Sequence, residues 1–265
     1  MTLRVELLII GNEILSGHTL DTNSQWLAQR LFELALPVNQ IQVIEDRVDL
    51  IATAIQDSHS RDTTVLVTSG GLGPTFDDIT AEGLAQAVGT TLELHPLALE
   101  IVTNRYKTLK SQNIVETAEL TPARKKMALL PKGATPLPNS VGSAPGIQFH
   151  FGQTQIYCLP GVPEELYAMF MAAVAPQIAS LTNTVVLQEI IQVPILDESK
   201  LAPLIDSVMK NKTGIYIKSL PRPYQSRKPL RVAITVNAKT KRKAKSQLEE
   251  ISKDLLKITQ LHRQT

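Results

Sequence analysis

One cysteine, Cys158, among 265 residues leaves no partner for a disulfide and no set of thiols for a zinc ribbon. It lies in an apolar strand pattern, where a thiol reads as an inert core group. The five histidines (His18, His59, His95, His150 and His262) form no HxH or HExxH spacing, which argues against a zinc enzyme. There is no Gly-x-Ser-x-Gly elbow to carry a hydrolase nucleophile. Long apolar runs are missing too: none approaches the ~18 residues of a membrane span without a charge or a breaker. The opening stretch MTLRVELLIIGNE is interrupted by Glu6 and leads to no small-residue cleavage pattern, so it reads as a strand and not as a signal peptide. With neither targeting segment nor disulfide pairs, a cytoplasmic location is expected.

What is present is ordinary for a soluble globular chain, 20% charged and 43% hydrophobic, with a net charge of +2. The length suits one large or two modest domains. The small total hides a split: residues 1–209 carry 12 Lys/Arg against 22 Asp/Glu, a net of −10, while residues 210–265 carry 15 against 3, a net of +12. That asymmetry asks for a domain boundary, placed here between residues 182 and 183.

Before the boundary, short apolar runs alternate with amphipathic helical stretches. Val5–Ile10, Val38–Ile44 and Thr64–Thr68 read as strands; Asp21–Ala35, Val48–Ser58, Thr80–Val88 and Pro96–Lys110 read as helices, the first with Asp21 or Thr22 as its cap. Met127–Leu130, Gly146–Phe151 and Gln155–Leu159 are further strand candidates, and Glu164 to about Ala179 a further helix. Strands alternating with helices predict an α/β fold of three layers with a mainly parallel sheet. After the boundary, Val185–Val193, Ser199–Met209, Gly214–Lys218, Pro229–Val236 and Ala238–Leu256 give a β-α-β-β-α order, a small α+β domain. Ser219–Lys228, rich in proline and arginine, reads as a mobile loop.

The sharpest local feature is the run from Thr68 to Thr80, TSGGLGPTFDDIT. A strand end, a loop holding Gly70, Gly71 and Gly73, and a helix start make an anion site: glycines let backbone approach a phosphate, and free amides point at it. Asp77 and Asp78 beside that loop would repel a bare phosphate, and make sense with a divalent cation between them and the phosphate oxygens. A tight turn with an aspartate cap explains Gly73 and Asp78, but not three glycines together with Asp77. The run is neither a Walker A loop nor a GxGxxG fingerprint. A second strand-to-helix loop, Gly11 to Gly17 followed by Asp21-Thr22-Asn23, offers Glu13 as ligand or base and Asn23 as a hydrogen-bonding group; in an open α/β sheet two such loops converge beyond the strand ends. Pro138–Gly146, which includes Gly142, and Leu159–Glu165, which includes Pro160 and Gly161, are rigid turns that read alone as structural.

Taken together, GNEILSG…DTN, TSGGLGPTFDDITAE, LPNSVGSAPG and LPGVPEE, in that order, resemble the N-terminal part of the competence/damage-inducible protein A (CinA) family, a MoaB/Mog-type molybdopterin-binding domain. The likeness spans roughly residues 3–180, and residues 185–265 resemble the KH-like domain that follows it. It implies metal-dependent cleavage of a nucleotide pyrophosphate of the ADP-ribose or FAD type, with Mg, Mn or Co as the divalent metal. It implies Asp77 and Asp78 as catalytic groups, and Glu13, Asp46 and Asp78 around the metal. Gly11, Asn23, Ser69, Gly70, Gly71, Gly73, Thr75, Gly142, Pro160 and Gly161 would contact the ligand. The alternative is a molybdopterin- or nucleotide-binding protein without turnover. A homo-oligomer, a dimer first, is implied as well. The chain stops after the KH-like segment, so the amidohydrolase of longer CinA proteins is not expected. The basic end is read first as a solvated or dimer-facing surface, next as a contact for an anionic substrate. Nucleic acid comes last, because Gly214 is the only glycine after Gly161, leaving no Gly-x-x-Gly clamp, and Tyr216 and Tyr224 are the segment's only aromatics.

Overall fold

A computed structural model of the chain describes residues 3–221 and 228–264. It forms two compact units, one of Met1–Leu31 with Leu36–Leu181, the other of Thr182–Thr265 with Phe32–Ala35. Most of the loop predicted at Ser219–Lys228, with Tyr224, lies outside the described residues.

Through Leu181 the elements are β1 (Val5–Ile10), α1 (Asn12–Leu15), α2 (Asn23–Glu33), β2 (Val38–Ile44), α3 (Val48–Ser60), β3 (Val65–Ser69), α4 (Thr80–Ala87), β4 (Leu92–Leu94), α5 (Pro96–Ser111), α6 (Pro122–Lys126), β5 (Leu129–Pro131), β6 (Thr135–Leu137), β7 (Gly146–Phe151), β8 (Thr154–Leu159), α7 (Pro163–Met169), a π-helical turn (Phe170–Val174) and α8 (Ala175–Ile178). The main sheet runs β2-β1-β3-β8-β7-β6. β2, β1, β3 and β8 are parallel, and β7 is antiparallel to both β8 and β6. Every residue of β1 and β3 is buried, as expected of strands covered on both faces. Leu8, Ile10 and Leu66 pack with Ile51, Ile55 and Leu84 in one core cluster. The expected mainly parallel α/β sheet is what the chain forms.

Register decides where chemistry can sit. Ile9 pairs with Ser69, and Ser69 with Leu159, so the carboxyl ends of β1, β3 and β8 are level. β6 runs in the same direction, which brings the loop before β7 out at that edge too. The helix expected from Glu164 to about Ala179 is continuous but widened by the π turn. Pro176 accounts for that turn, since its ring would strike the carbonyl of Ala172 in a regular α-helix.

The second unit contains β9 (Val185–Val193), α9 (Glu198–Met209), β10 (Ile215–Ser219), β11 (Leu230–Ala238) and α10 (Lys241–Gln264), with antiparallel order β10-β11-β9. Val232, Ile234 and Val236 of β11 pack with Leu201, Ile251 and Leu255. The last helix runs past the expected end at Leu256. Lys241, Arg242, Lys243 and Lys245 on it face solvent. Among the described residues, no helix is long and apolar enough to cross a membrane.

Candidate functional site

The glycine loop leaves β3 at the level edge. Gly70 has φ +112 and Gly71 φ +67, conformations that favour glycine. A Cβ on Gly70 would overlap the Ile10 carbonyl oxygen, one on Gly71 the Thr80 hydroxyl, and one on Gly73 would lie 2.6 Å from Asp78 Oδ2. Thr80 closes the turn: its hydroxyl donates to the Gly70 carbonyl (2.8 Å) and its amide to the Gly71 carbonyl (3.0 Å). Gly70 and Gly71 therefore have reasons inside the turn, while Gly73 meets only the movable end of the Asp78 side chain. This corrects the expectation that a tight turn accounts for Gly73 but not for the three glycines together: the turn itself requires Gly70 and Gly71. The turn also leaves the amides of Gly71, Leu72 and Gly73 with no acceptor among the described residues. Consecutive free amides of this kind form a concave anion cradle.

The acidic pair is built around Thr75. Its amide donates to Asp78 Oδ2 (2.8 Å), and its hydroxyl lies within hydrogen-bond reach of both Asp78 Oδ2 (2.6 Å) and Asp77 Oδ1. One hydroxyl carries one proton, so only one of these carboxylates can take it at a time. Thr75 is thus committed to the acids, not to a phosphate. The Thr75 hydrogen bond, with Asp77's own amide and the charge of Lys126, holds the Asp77 carboxyl below the usual range. Lys126, at the end of α6, donates to the Thr75 carbonyl (2.5 Å) and lines a cavity of about 20 Å³ with Gly71, Gly73 and Asp78. Sequence reasoning missed Lys126; the run Arg124-Lys125-Lys126 before β5 was the available signal.

Glu13 and Asp46 form an adjoining corner. Asp46 Oδ2 accepts the Asn12 amide (2.7 Å). Burial raises the Asp46 carboxyl despite that bond, and the charges of Glu13 and Asp77 add to it. Glu13 folds back over Gly11, its Oε1 2.6 Å from where a Cβ would stand. The Gly11 amide is already bonded to the Ile44 carbonyl (3.2 Å). Among the described residues no three His, Cys, Asp or Glu side chains are gathered to hold a metal. The set Glu13, Asp46 and Asp78 is thus not one cluster, because each carboxylate is turned to a different stretch of backbone.

Asn23, Ser69, Pro160 and Gly161 do come together, as a clasp in which the first three are buried and Gly161 is exposed. Asn23 Nδ2 donates to Ser69 Oγ (3.0 Å) and to the Gly161 carbonyl (2.8 Å), and Ser69 Oγ reaches the Pro160 carbonyl (3.5 Å). A Cβ on Gly161 would touch Gly70 Cα at 3.5 Å. The group ties the ends of β3 and β8 to the start of α2, where Asp21 accepts the Ser24 amide (2.9 Å) as expected of a cap. Asn23 Oδ1 is buried and has no partner among the described residues. Gly142 lies against Glu165 of α7. Asn139 accepts the Gly142 amide (2.7 Å) and donates to Glu165 Oε2 (2.7 Å), a pair the sequence did not single out. Cys158 is fully buried and its thiol is pushed up to about 12, as an inert core group should be.

The model for the "Probable molybdopterin binding domain" family matches residues 6–180. Among curated proteins, one of Saccharolobus solfataricus is 38% identical over 252 residues, covering 95% of this chain and 90% of that protein. Another, of Pyrococcus furiosus, is 41% identical over 205 residues, 77% of this chain and 80% of that protein. Among solved structures, the protein CinA of unknown function from Thermoplasma acidophilum is 34% identical with a TM-score of 0.59, covering 66% of this chain and 98% of that one. The four motifs, the level strand ends and these likenesses agree: the chain belongs to the molybdopterin-binding-domain family, as a CinA-like member with a MoaB/Mog-type fold.

Proposed function

We propose that the glycine-loop site hydrolyses a nucleotide pyrophosphate of the ADP-ribose or FAD type. The observation that carries this is the juxtaposition of free amides at Gly71–Gly73, the Asp77–Asp78 pair and Lys126. The amides and the Lys126 ammonium would hold the phosphate oxygens. A hard cation such as Mg²⁺ is held by one or two carboxylates with substrate phosphates filling other positions, so two converging aspartates suit it without a third ligand. Asp77 and Asp78 would hold it, and it would supply neutralisation of phosphate charge at the attacked phosphorus. Asp77 stays ionised for this role. In the net reaction a water oxygen bonds to one phosphorus, the bridging P–O bond breaks and the bridging oxygen leaves on the second phosphate. ADP-ribose would give AMP and ribose 5-phosphate.

The second reading is binding of a phosphate-bearing pterin or nucleotide without turnover. Thr75 engages both Asp77 and Asp78, occupying carboxylate oxygens that a cation would use, and this favours it. Assays on ADP-ribose, FAD and NAD with Mg²⁺, Mn²⁺ or Co²⁺ separate the two. Turnover on one of them is expected; binding with no turnover under any condition would leave the second reading.

A further inference from the structure

Phe76 is the most exposed large apolar side chain among the described residues, at 92%. It is not on a loose loop. The residues beside it are held by Thr75 N to Asp78 Oδ2 (2.8 Å), Asp78 N to the Thr75 carbonyl (3.3 Å) and Lys126 Nζ to the same carbonyl (2.5 Å). The turn therefore fixes where the ring leaves the backbone while giving it nothing to pack on. Its sequence neighbours, Thr75, Asp77 and Asp78, are all polar, and their partners account for the turn without it. A full aromatic side chain held in water this close in the chain to the glycine loop is open to a ligand that binds there.

Its position limits that ligand. Phe76 is three positions after Gly73, a backbone span of at most about 11 Å. A ligand whose phosphate rests on the amides of Gly71–Gly73 has one sugar's length in which to reach the ring. A heteroaromatic base joined to that phosphate through a ribose fits this span, and it presents a π face of the kind that stacks on phenylalanine. We propose that Phe76 is the base-stacking platform of the site, which makes the preferred ligand a nucleotide and not a simple sugar phosphate. The inference rests on the reading that phosphate binds at the glycine loop.

The test is calorimetric titration of the full chain with AMP and with ribose 5-phosphate, for the wild type, Phe76→Ala and Phe76→Trp. Stacking on one base is worth enough that Phe76→Ala should weaken AMP about 10-fold and leave ribose 5-phosphate unchanged. Phe76→Trp should keep AMP binding and show emission quenched by AMP but not by ribose 5-phosphate, with the wild type's single Trp26 as the background. Equal AMP affinity in the wild type and Phe76→Ala would overturn the proposal and leave the phosphate site standing. So would a loss of both ligands to the same degree, or a change in solution mass in Phe76→Ala, which would assign the ring to a second copy of the chain. A wild type that binds neither ligand would sink the phosphate reading itself, and this inference with it.

Discussion

Glu6 is the acidic residue that interrupts the apolar run of β1, and replacing it with glutamine perturbs one buried charge without changing shape. The residue is 2% exposed. Its carboxylate accepts from Arg61 Nε (3.0 Å), Arg61 Nη2 (2.7 Å) and Arg4 Nε (2.6 Å). Burial alone would raise its pKa. The hydrogen bonds from Arg61 and Arg4, with the Arg61 charge, reverse that and bring it from 4.5 to about 2. The difference corresponds to about 3 kcal/mol of stability. Because the folded value lies below the unfolded one, this contribution is complete above pH 4.5 and is lost as pH falls toward 2; about 1.4 kcal/mol is left at pH 3. Both arginine side chains are about one-third exposed, 33% and 32%, so water can resolvate them once the carboxylate is gone. That keeps Glu6→Gln near the low end of the ~3–5 kcal/mol for breaking a buried pair. The assay is urea unfolding of both proteins at pH 7, 5 and 3, followed by Trp26, which lies in the first unit and reports on it. The expected deficit is about 3 kcal/mol at pH 7, shrinking to roughly half at pH 3. A deficit that does not change with pH, or none at pH 7, would refute the assignment of this charge as a stabilising ion cluster.

Two further substitutions probe the site. Asp78→Asn keeps an oxygen to accept the Thr75 amide but removes the charge, so turnover should fall by about 100-fold or more with an unfolding midpoint close to the wild type; unchanged turnover would clear Asp78 of a catalytic role. Lys126→Met removes the one cation seen beside the loop among the described residues. Binding of inorganic pyrophosphate, measured by calorimetry, should weaken about 10-fold; an unchanged affinity would leave Lys126 as a brace on the Thr75 carbonyl only.

What could be read in advance follows from length and period. β1 and β3, buried on both faces, are near-continuous apolar runs and were readable as such. β4 and β6, at three residues each, and α6, at five, are too short to show any periodicity. The clasp was present only as separate letters. Asn23 meets Ser69 and Gly161 across 46 and 138 residues, and only the parallel register makes those ends level. Lys126 is likewise 51 residues from Thr75, so the basic run shows its charge but not the partner it meets. Glu6 was legible as an interruption but not as a partner, since Arg61 lies 55 residues away.

The glycines were the easiest residues to notice and the hardest to interpret, because a turn and a ligand can both demand the same residue type. The structure offers a way to separate them. Gly71 has φ +67, and its missing Cβ is where the buried Thr80 hydroxyl sits, so an alanine meets both strain and a fixed neighbour. Gly71→Ala should cost about 2 kcal/mol or more of stability. Gly73 has no such backbone demand, and its Cβ would meet only the far end of the Asp78 side chain, 2.6 Å from Oδ2 and 3.0 Å from Cγ. That carboxylate can swing away, so Gly73→Ala should stay within about 0.5 kcal/mol of the wild type. Swinging Asp78 away nevertheless breaks its bond to the Thr75 amide and parts it from Asp77. Gly73→Ala should therefore fold normally and lose pyrophosphate turnover. If it turns over substrate like the wild type, the packing of Gly73 on Asp78 has no part in the chemistry, and only Gly70 and Gly71 are owed to the turn.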